Sequence, residues 1–193
     1  LGVPPKAWYL AGQIEKESCI SLKHSRCWNS RSEFKSAREQ GVGLGQLTRA
    51  FRIDGSIRFD ALQELKDKHP MLLKDLNWTT IKDKPELQIR AVVLKMLDNY
   101  KYYARYTDID NAIIFGMEAY NGGIGGLNNE RRACKISGKC NPQYWFNNVE
   151  NFCLKSKAAL YGNRSACDIS RNYPRDIIYT RSNKYSKFWL VKN

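Results

Sequence analysis

Three segments carry residue types suited to chemistry: Glu17-Ser18 within Gln13-Ile14-Glu15-Lys16-Glu17-Ser18-Cys19, then Gly41-Val42-Gly43-Leu44-Gly45-Gln46, then Ala119-Tyr120-Asn121-Gly122-Gly123. A carboxylic acid can protonate a glycosidic oxygen near neutral pH when burial raises its pKa. A glutamate on a half-buried helix, a glycine-rich turn ending in Gln and a buried helix ending in Tyr-Asn are what such a site needs. Alone, Glu17 beside Lys16 reads more readily as a surface ion pair, because glutamate is seldom buried without a partner. The chemistry therefore rests on the set of segments.

The elements that must position these residues follow from periodicity. Pro4-Pro5 suits a helix start, and Ala7, Leu10, Ala11, Ile14 and Ser18 recur at helical spacing, giving an inward stripe. Glu17 lies at one edge of that stripe and Glu15 at the other, so helix phase does not choose between them. Residues 21–40, with Trp28 and Phe34, read as an irregular or short-helical excursion. A short helix is expected over Phe59 to Lys68, ended by His69-Pro70, and a long one over Pro85 to Arg105. Ile109 to Tyr120, behind capping candidates Asp108 and Asp110, is apolar nearly all round and belongs in the centre of a core, with Asn121-Gly122-Gly123 as its stop. Further helix is expected from Pro142 to about Lys157 and from about Asp168 to the end, disturbed at Pro174. Strand patterns are scarce, and Arg52 to Ile57 with Asp54-Gly55 suggests a small hairpin. The expected fold class is mainly α, with at most a small β-hairpin.

At 193 residues the chain suits one domain with a real core. No apolar run approaches the length of about 18 residues needed for a transmembrane helix, and residues 1–10 show no basic region followed by an apolar core of the kind a signal peptide has. Lys and Arg total 32 against 19 Asp and Glu, a net +13 that favours polyanionic surroundings. The cations are spread without a compact block, and no nucleic-acid-binding fingerprint is present, so a specific nucleic-acid role is not expected. Cys19, Cys27, Cys134, Cys140, Cys153 and Cys167 form an even set. The spacing favours local pairs, Cys19 with Cys27 and Cys134 with Cys140, in an oxidising compartment such as the periplasm; six reduced, buried thiols are the alternative. No Cys-x-x-Cys occurs and His24 and His69 lie far apart, so neither metal nor cofactor is expected.

In their order along the chain, Glu17-Ser18, Gly43-Leu44-Gly45-Gln46 and Ala119-Tyr120-Asn121-Gly122-Gly123 resemble the motifs of the lysozyme-like superfamily. The resemblance is to lytic transglycosylases of the soluble (SLT) type and their bacteriophage endolysin relatives. It covers roughly residues 8–127 and is fainter over 142–193, within one catalytic domain spanning 1–193. Glu-Ser-Cys-Ile-Ser-Leu, Cys27-Trp28-Asn29 and Ala37-Arg38-Glu39-Gln40-Gly41 look most like the phage branch, while Tyr173-Pro174 departs from the family pattern.

The resemblance implies a monomeric enzyme that cuts the MurNAc-β-1,4-GlcNAc bond of peptidoglycan glycan strands in the periplasm or wall during phage lysis. Anionic envelope polymers would be further partners. Glu17 would be general acid and then base, Ser18 would hold substrate or the carboxylate, and Gly45 and Gln46 would line the sugar subsite. Tyr120 would orient Glu17, and Asn121 would fix the turn or contact sugar. The muramic acid's own C6 hydroxyl would attack, giving a 1,6-anhydro product without a second carboxylate, unlike the usual two-carboxylate scheme. The glycine turn is also similar to that of goose-type lysozymes. There Glu39 would be the candidate second carboxylate, positioning water for hydrolysis. A non-catalytic wall-binding or virion structural protein is the reading of another class. Glu118 reads as a structural partner, and Trp28, Tyr144 and Trp145 as core aromatics ahead of sugar-stacking ones.

Overall fold

The computed structural model describes residues 6–188; the expected Pro4-Pro5 helix start and the last five residues lie outside them. The protein is mostly helical with a small antiparallel sheet. It comprises two compact units, one made of residues 96–180 and the other of residues 6–95 together with 181–188.

The second of these units opens with α1, Trp8–Ser18, which buries Gly12, Gln13, Ile14, Glu15 and Ser18. Leu10 and Ala11 of the expected stripe are only half-buried. The face is rotated because Gly12 packs directly against Ser182, whose Oγ occupies the space that a Cβ on residue 12 would need.

An antiparallel meander follows, formed by β1 (Glu33–Lys35), β2 (Glu39–Val42), β3 (Leu47–Phe51) and β4 (Ile57–Asp60) in that spatial order. The sequence led us to expect at most a hairpin and an irregular stretch over 21–40; the sheet is larger. The expected turn is present, since Gly55 takes φ +81 and Asp54 Oδ1 accepts from Ser56 N at 2.9 Å. Its strands flank the predicted span, and those on the far side of β3 went unread because Glu33, Glu39 and Gln40 are polar strand formers without alternation.

Phe59 belongs to β4, so the next helix, α2 (Ala61–Lys68), begins two residues later than expected, capped by Asp60 Oδ1 accepting from Gln63 N at 2.9 Å. α3 (Pro70–Leu73) starts on a proline, as helix first turns tolerate. The long helix α4 runs Pro85–Tyr103, with residues up to Lys95 in this unit and the remainder in the other. Val42, Leu47, Leu62, Leu65, Leu73 and Leu94 share one core here.

The unit of residues 96–180 is built on α5, Ile109–Gly122, in which every residue from Ala112 to Tyr120 is buried. Asp108 caps it by accepting from Asn111 N at 2.8 Å. Gly123, at φ +80, ends it and opens α6 (Ile124–Ser137), which the glycine-rich start had concealed. Phe115, Tyr103, Leu127, Trp145 and Val149 pack as its core.

The helix expected over Pro142 to Lys157 is absent: only a 3-10 turn at Val149–Asn151 forms. Asparagine side chains there hydrogen-bond locally instead, Gln143 N donating to Asn141 Oδ1 and Asn141 N to Asn148 Oδ1, each at 2.9 Å. Such bonds compete with the helical ladder. A short hairpin, β5 (Ala159–Tyr161) with β6 (Arg164–Ser165), leads into α7, Ala166–Arg175. Beyond Pro174 the chain passes into a π-helical turn, Asp176–Arg181, and then α8, Asn183–Ser186.

Cys19–Cys27, Cys134–Cys140 and Cys153–Cys167 are disulfide-bonded, the first two as the spacing suggested. Among the described residues no helix is long and apolar enough to cross a membrane.

Candidate functional site

The end of α1 separates the two glutamates that helix phase left equivalent. Glu15 is 3% exposed, and both of its carboxylate oxygens are engaged. Oε1 accepts from Lys184 Nζ at 2.8 Å and Arg181 Nη1 at 3.3 Å, and Oε2 from the Tyr185 hydroxyl at 2.6 Å. Burial and this bond push the Tyr185 phenol up to about 12. Glu15 therefore fastens 181–185 to α1 and offers neither oxygen to a substrate. Glu17, two residues and about 200° further round the helix, is half-buried.

Ser18, 3% exposed, donates its hydroxyl to Ile14 O at 2.7 Å and accepts from Trp28 N at 3.2 Å. Those bonds, with the adjacent Cys19–Cys27 bridge, fix the 19–28 loop on the helix end. Trp28 is not core: it is 41% exposed, has φ +55, and meets the Tyr185 ring edge-on at 6.0 Å.

The glycine motif divides between strand and turn. Gly41 and Val42 end β2, and residues 43–46 turn back into β3. Gly43 has φ +80 and is needed for space as well, since a Cβ would run into Gln88 Oε1. That oxygen accepts from Leu44 N at 2.8 Å, and Gln88 Nε2 donates to Ser30 O at 2.9 Å. Gln46 has φ +43 and folds over the turn, its Nε2 donating to Gly43 O at 2.9 Å. Gly45 beside it is buried. Glu39 sits at the start of the same strand, half-buried and opposite Ala50.

Gln88 and Lys95 are seven residues apart, hence on one face of α4 and about 10 Å apart along its axis. Gln88 grips the glycine turn, while Lys95 feels the carboxylate of Glu17. Burial pushes the Lys95 ammonium down to about 8, with Glu17 and Glu64 acting in the opposite direction. One helix face thus places the turn and Glu17 in a common frame. Neither Gln88 nor Lys95 was singled out from the sequence. A glutamine and a lysine spaced by seven on a long amphipathic helix were the available signal, and it is a weak one.

Tyr120 and Asn121 belong to the other unit, at the C-terminal end of α5; Tyr120 is 7% exposed and Asn121 exposed. Glu118, fully buried on α5, bonds Lys155 Nζ at 2.6 Å and the Ser170 hydroxyl. Burial raises its pKa, and Lys155 and Ser170 oppose the rise. It serves as the structural partner that the sequence suggested. Trp145 is core, whereas Tyr144 is 43% exposed. Among the described residues no three His, Cys, Asp or Glu side chains gather as a metal site requires. No protein-family model, curated protein or solved structure matches the chain.

Proposed function

We propose that the chain is a peptidoglycan lytic transglycosylase of lysozyme-like type, with Glu17 as its acid-base residue. The observation that carries this reading is the division of α1: Glu15 is buried under Lys184, Arg181 and Tyr185, while the helix's other acid, Glu17, is half-buried beside the Cys19–Cys27 loop and interacts with Lys95. In the first half of the reaction Glu17 gives its proton to the glycosidic oxygen as the C1–O4 bond of the MurNAc-GlcNAc link breaks. In the second, its carboxylate takes the proton of the MurNAc C6 hydroxyl as the C1–O6 bond forms. No water is consumed, and the product ends in 1,6-anhydro-MurNAc. Lys95 lies within electrostatic reach of Glu17. Gly45 and Gln46 line the sugar subsite, Ser18 holds the helix end in shape, and exposed Trp28 offers a ring face to a sugar.

Three disulfides suit an oxidising compartment such as the periplasm, where host-cell lysis by a phage enzyme would take place. Hydrolysis at the same bond is the second reading, favoured by one observation: Glu39 is held on β2, half-buried, in the strand that feeds the glycine turn. Mass spectrometry of the muropeptides released from purified murein decides between them. Anhydro products that vanish with Glu17→Gln support the transglycosylase, and reducing-end products that vanish with Glu39→Gln support the lysozyme. Unchanged wall clearing by a folded Glu17→Gln protein would leave a non-catalytic wall protein.

A further inference from the structure

In the unit of residues 96–180 an open groove of about 1010 Å³ runs between the last turn of α4, the start of α5 and one face of α6. Its volume matches the roughly 300–1,000 Å³ of sites that take drug-sized ligands. Arg105, Arg131, Arg132 and Lys135 line it, against the single carboxylate of Asp108. That carboxylate is already engaged, since it caps α5 through Asn111 N and Nδ2. Among the described residues none of the four cations has a carboxylate within ion-pair distance. A net of three positive charges with no carboxylate paired to the cations calls for an anionic ligand.

The groove is also held in shape. Arg105 Nε donates to Tyr102 O at 3.2 Å and Arg131 Nε to Pro142 O at 2.9 Å, which fixes both guanidinium planes. Asn128 Nδ2 donates to the Tyr102 hydroxyl at 2.8 Å, Thr107 reaches the Gln143 carbonyl at 2.5 Å, and the Cys134–Cys140 bridge ties the 141–143 wall to the end of α6. A planar, oriented guanidinium presents paired N–H groups that match a phosphate or carboxylate. Preorganisation of this kind lowers the ordering cost of binding.

Two classes of polyanion are separated by the aromatic wall. Single-stranded nucleic acid binds by stacking bases on open aromatic faces. Here the Arg105 guanidinium lies over Tyr102 at 5.0 Å and over Tyr106 at 5.6 Å, and that of Arg131 over Tyr106 at 5.4 Å. Each of these rings already carries a guanidinium over it. What the groove offers is charge together with the amides of Asn128, Asn141 and Gln143, which suit hydroxyl groups.

We propose that this groove is a binding site for a phosphate-bearing glycan. It would hold the protein on an anionic envelope polysaccharide independently of any bond cleavage by Glu17.

The test is binding of the full chain to dextran phosphate, with neutral dextran of the same length and a twelve-nucleotide dT strand as comparisons. We expect binding to dextran phosphate, none to neutral dextran, and weaker binding to dT. The double variant Arg132→Gln/Lys135→Gln, both exposed positions, should lose about tenfold in affinity through lost charge-assisted bonds. Lys74→Gln/Lys157→Gln, which removes the same charge from exposed positions that do not line the groove, should stay within about twofold of wild type, as expected for solvent-screened charges. Equal losses in the two doubles, or preference for dT, overturn the proposal. Glu17→Gln should bind dextran phosphate as wild type does, so failure of the cleavage reading and failure of this one are told apart.

Discussion

Glu15 and Glu17 differ by two positions and, in the structure, by everything that matters to a carboxylate. Glu15 is a buried anion with two cations and a phenol on it, and removing one member of such a set is expensive because the others stay desolvated. Glu15→Gln should therefore cost roughly 3 kcal/mol of stability while leaving the chemical step intact in whatever protein remains folded. Glu17→Gln should do the reverse, keeping the urea midpoint and abolishing muropeptide release. A folded, fully active Glu17→Gln enzyme would remove the acid from our scheme. Lys95 supplies a finer probe. Its ammonium interacts with the Glu17 carboxylate, so Lys95→Met should alter the pH–rate profile of muropeptide release, and an unchanged profile would place Lys95 outside the chemistry. Lys95 also links its own titration to folding: its folded pKa, about 8, lies below its ordinary 10.5, so the unfolded chain binds more protons in that window. Stability contributed by this group accordingly rises as pH climbs from 8 to 10.5. Denaturant midpoints of wild type and Lys95→Met across that window measure it, and parallel curves would contradict it.

Elements decide which of these residues the sequence made visible. α5 was legible because nine successive buried positions, nearly all apolar or small, and a capping Asp leave little else for it to be. The Asp54-Gly55 turn was legible for the same reason, local chemistry demanding a local shape. The meander was not, because β1 and β2 are short and polar and owe their existence to pairing, β1 with β2 and β2 with β3. Nor was the loss of helix after Pro142, which depends on side-chain-to-backbone bonds from Asn141 and Asn148 that periodicity cannot register. At the site, the glycine motif was readable as a motif, but its partner Gln88 was not, since that contact joins positions 44 residues apart. The pairing makes a quantitative distinction between two glycines of nearly equal φ. Gly55 at +81 has nothing within 4 Å of where a methyl group would sit, whereas Gly43 at +80 would drive a Cβ into Gln88. Gly55→Ala should cost only the left-handed backbone term, about 1–2 kcal/mol. Gly43→Ala should lose that and the Gln88 bond to the turn as well, about 3 kcal/mol or more in all. Urea unfolding of the two variants compares them directly, and equal costs would mean that Gln88 yields freely.

For the whole molecule, the two units differ in how their unfolded chains are constrained. Residues 96–180 hold two disulfides, closing loops of separation 6 and 14, while residues 6–95 with 181–188 hold one, of separation 8. Loop-closure entropy assigns each bridge about 2–3 kcal/mol, the 14-residue loop most. The unit with two bridges therefore stands to lose about 5 kcal/mol on reduction and the other about 2.5 kcal/mol. Such an asymmetry matters for a protein read as acting in an oxidising compartment, because the groove wall at 141–143 depends on Cys134–Cys140, whereas the loop beside Glu17 depends on Cys19–Cys27. Hydrogen exchange with and without reductant measures both at once. Protection in the α5, α6 and α7 amides should fall further than in the α2 and β3 amides, and dextran phosphate binding should weaken in step with the former. Equal loss of protection in the two units would show that the bridges do not stabilise them through loop closure.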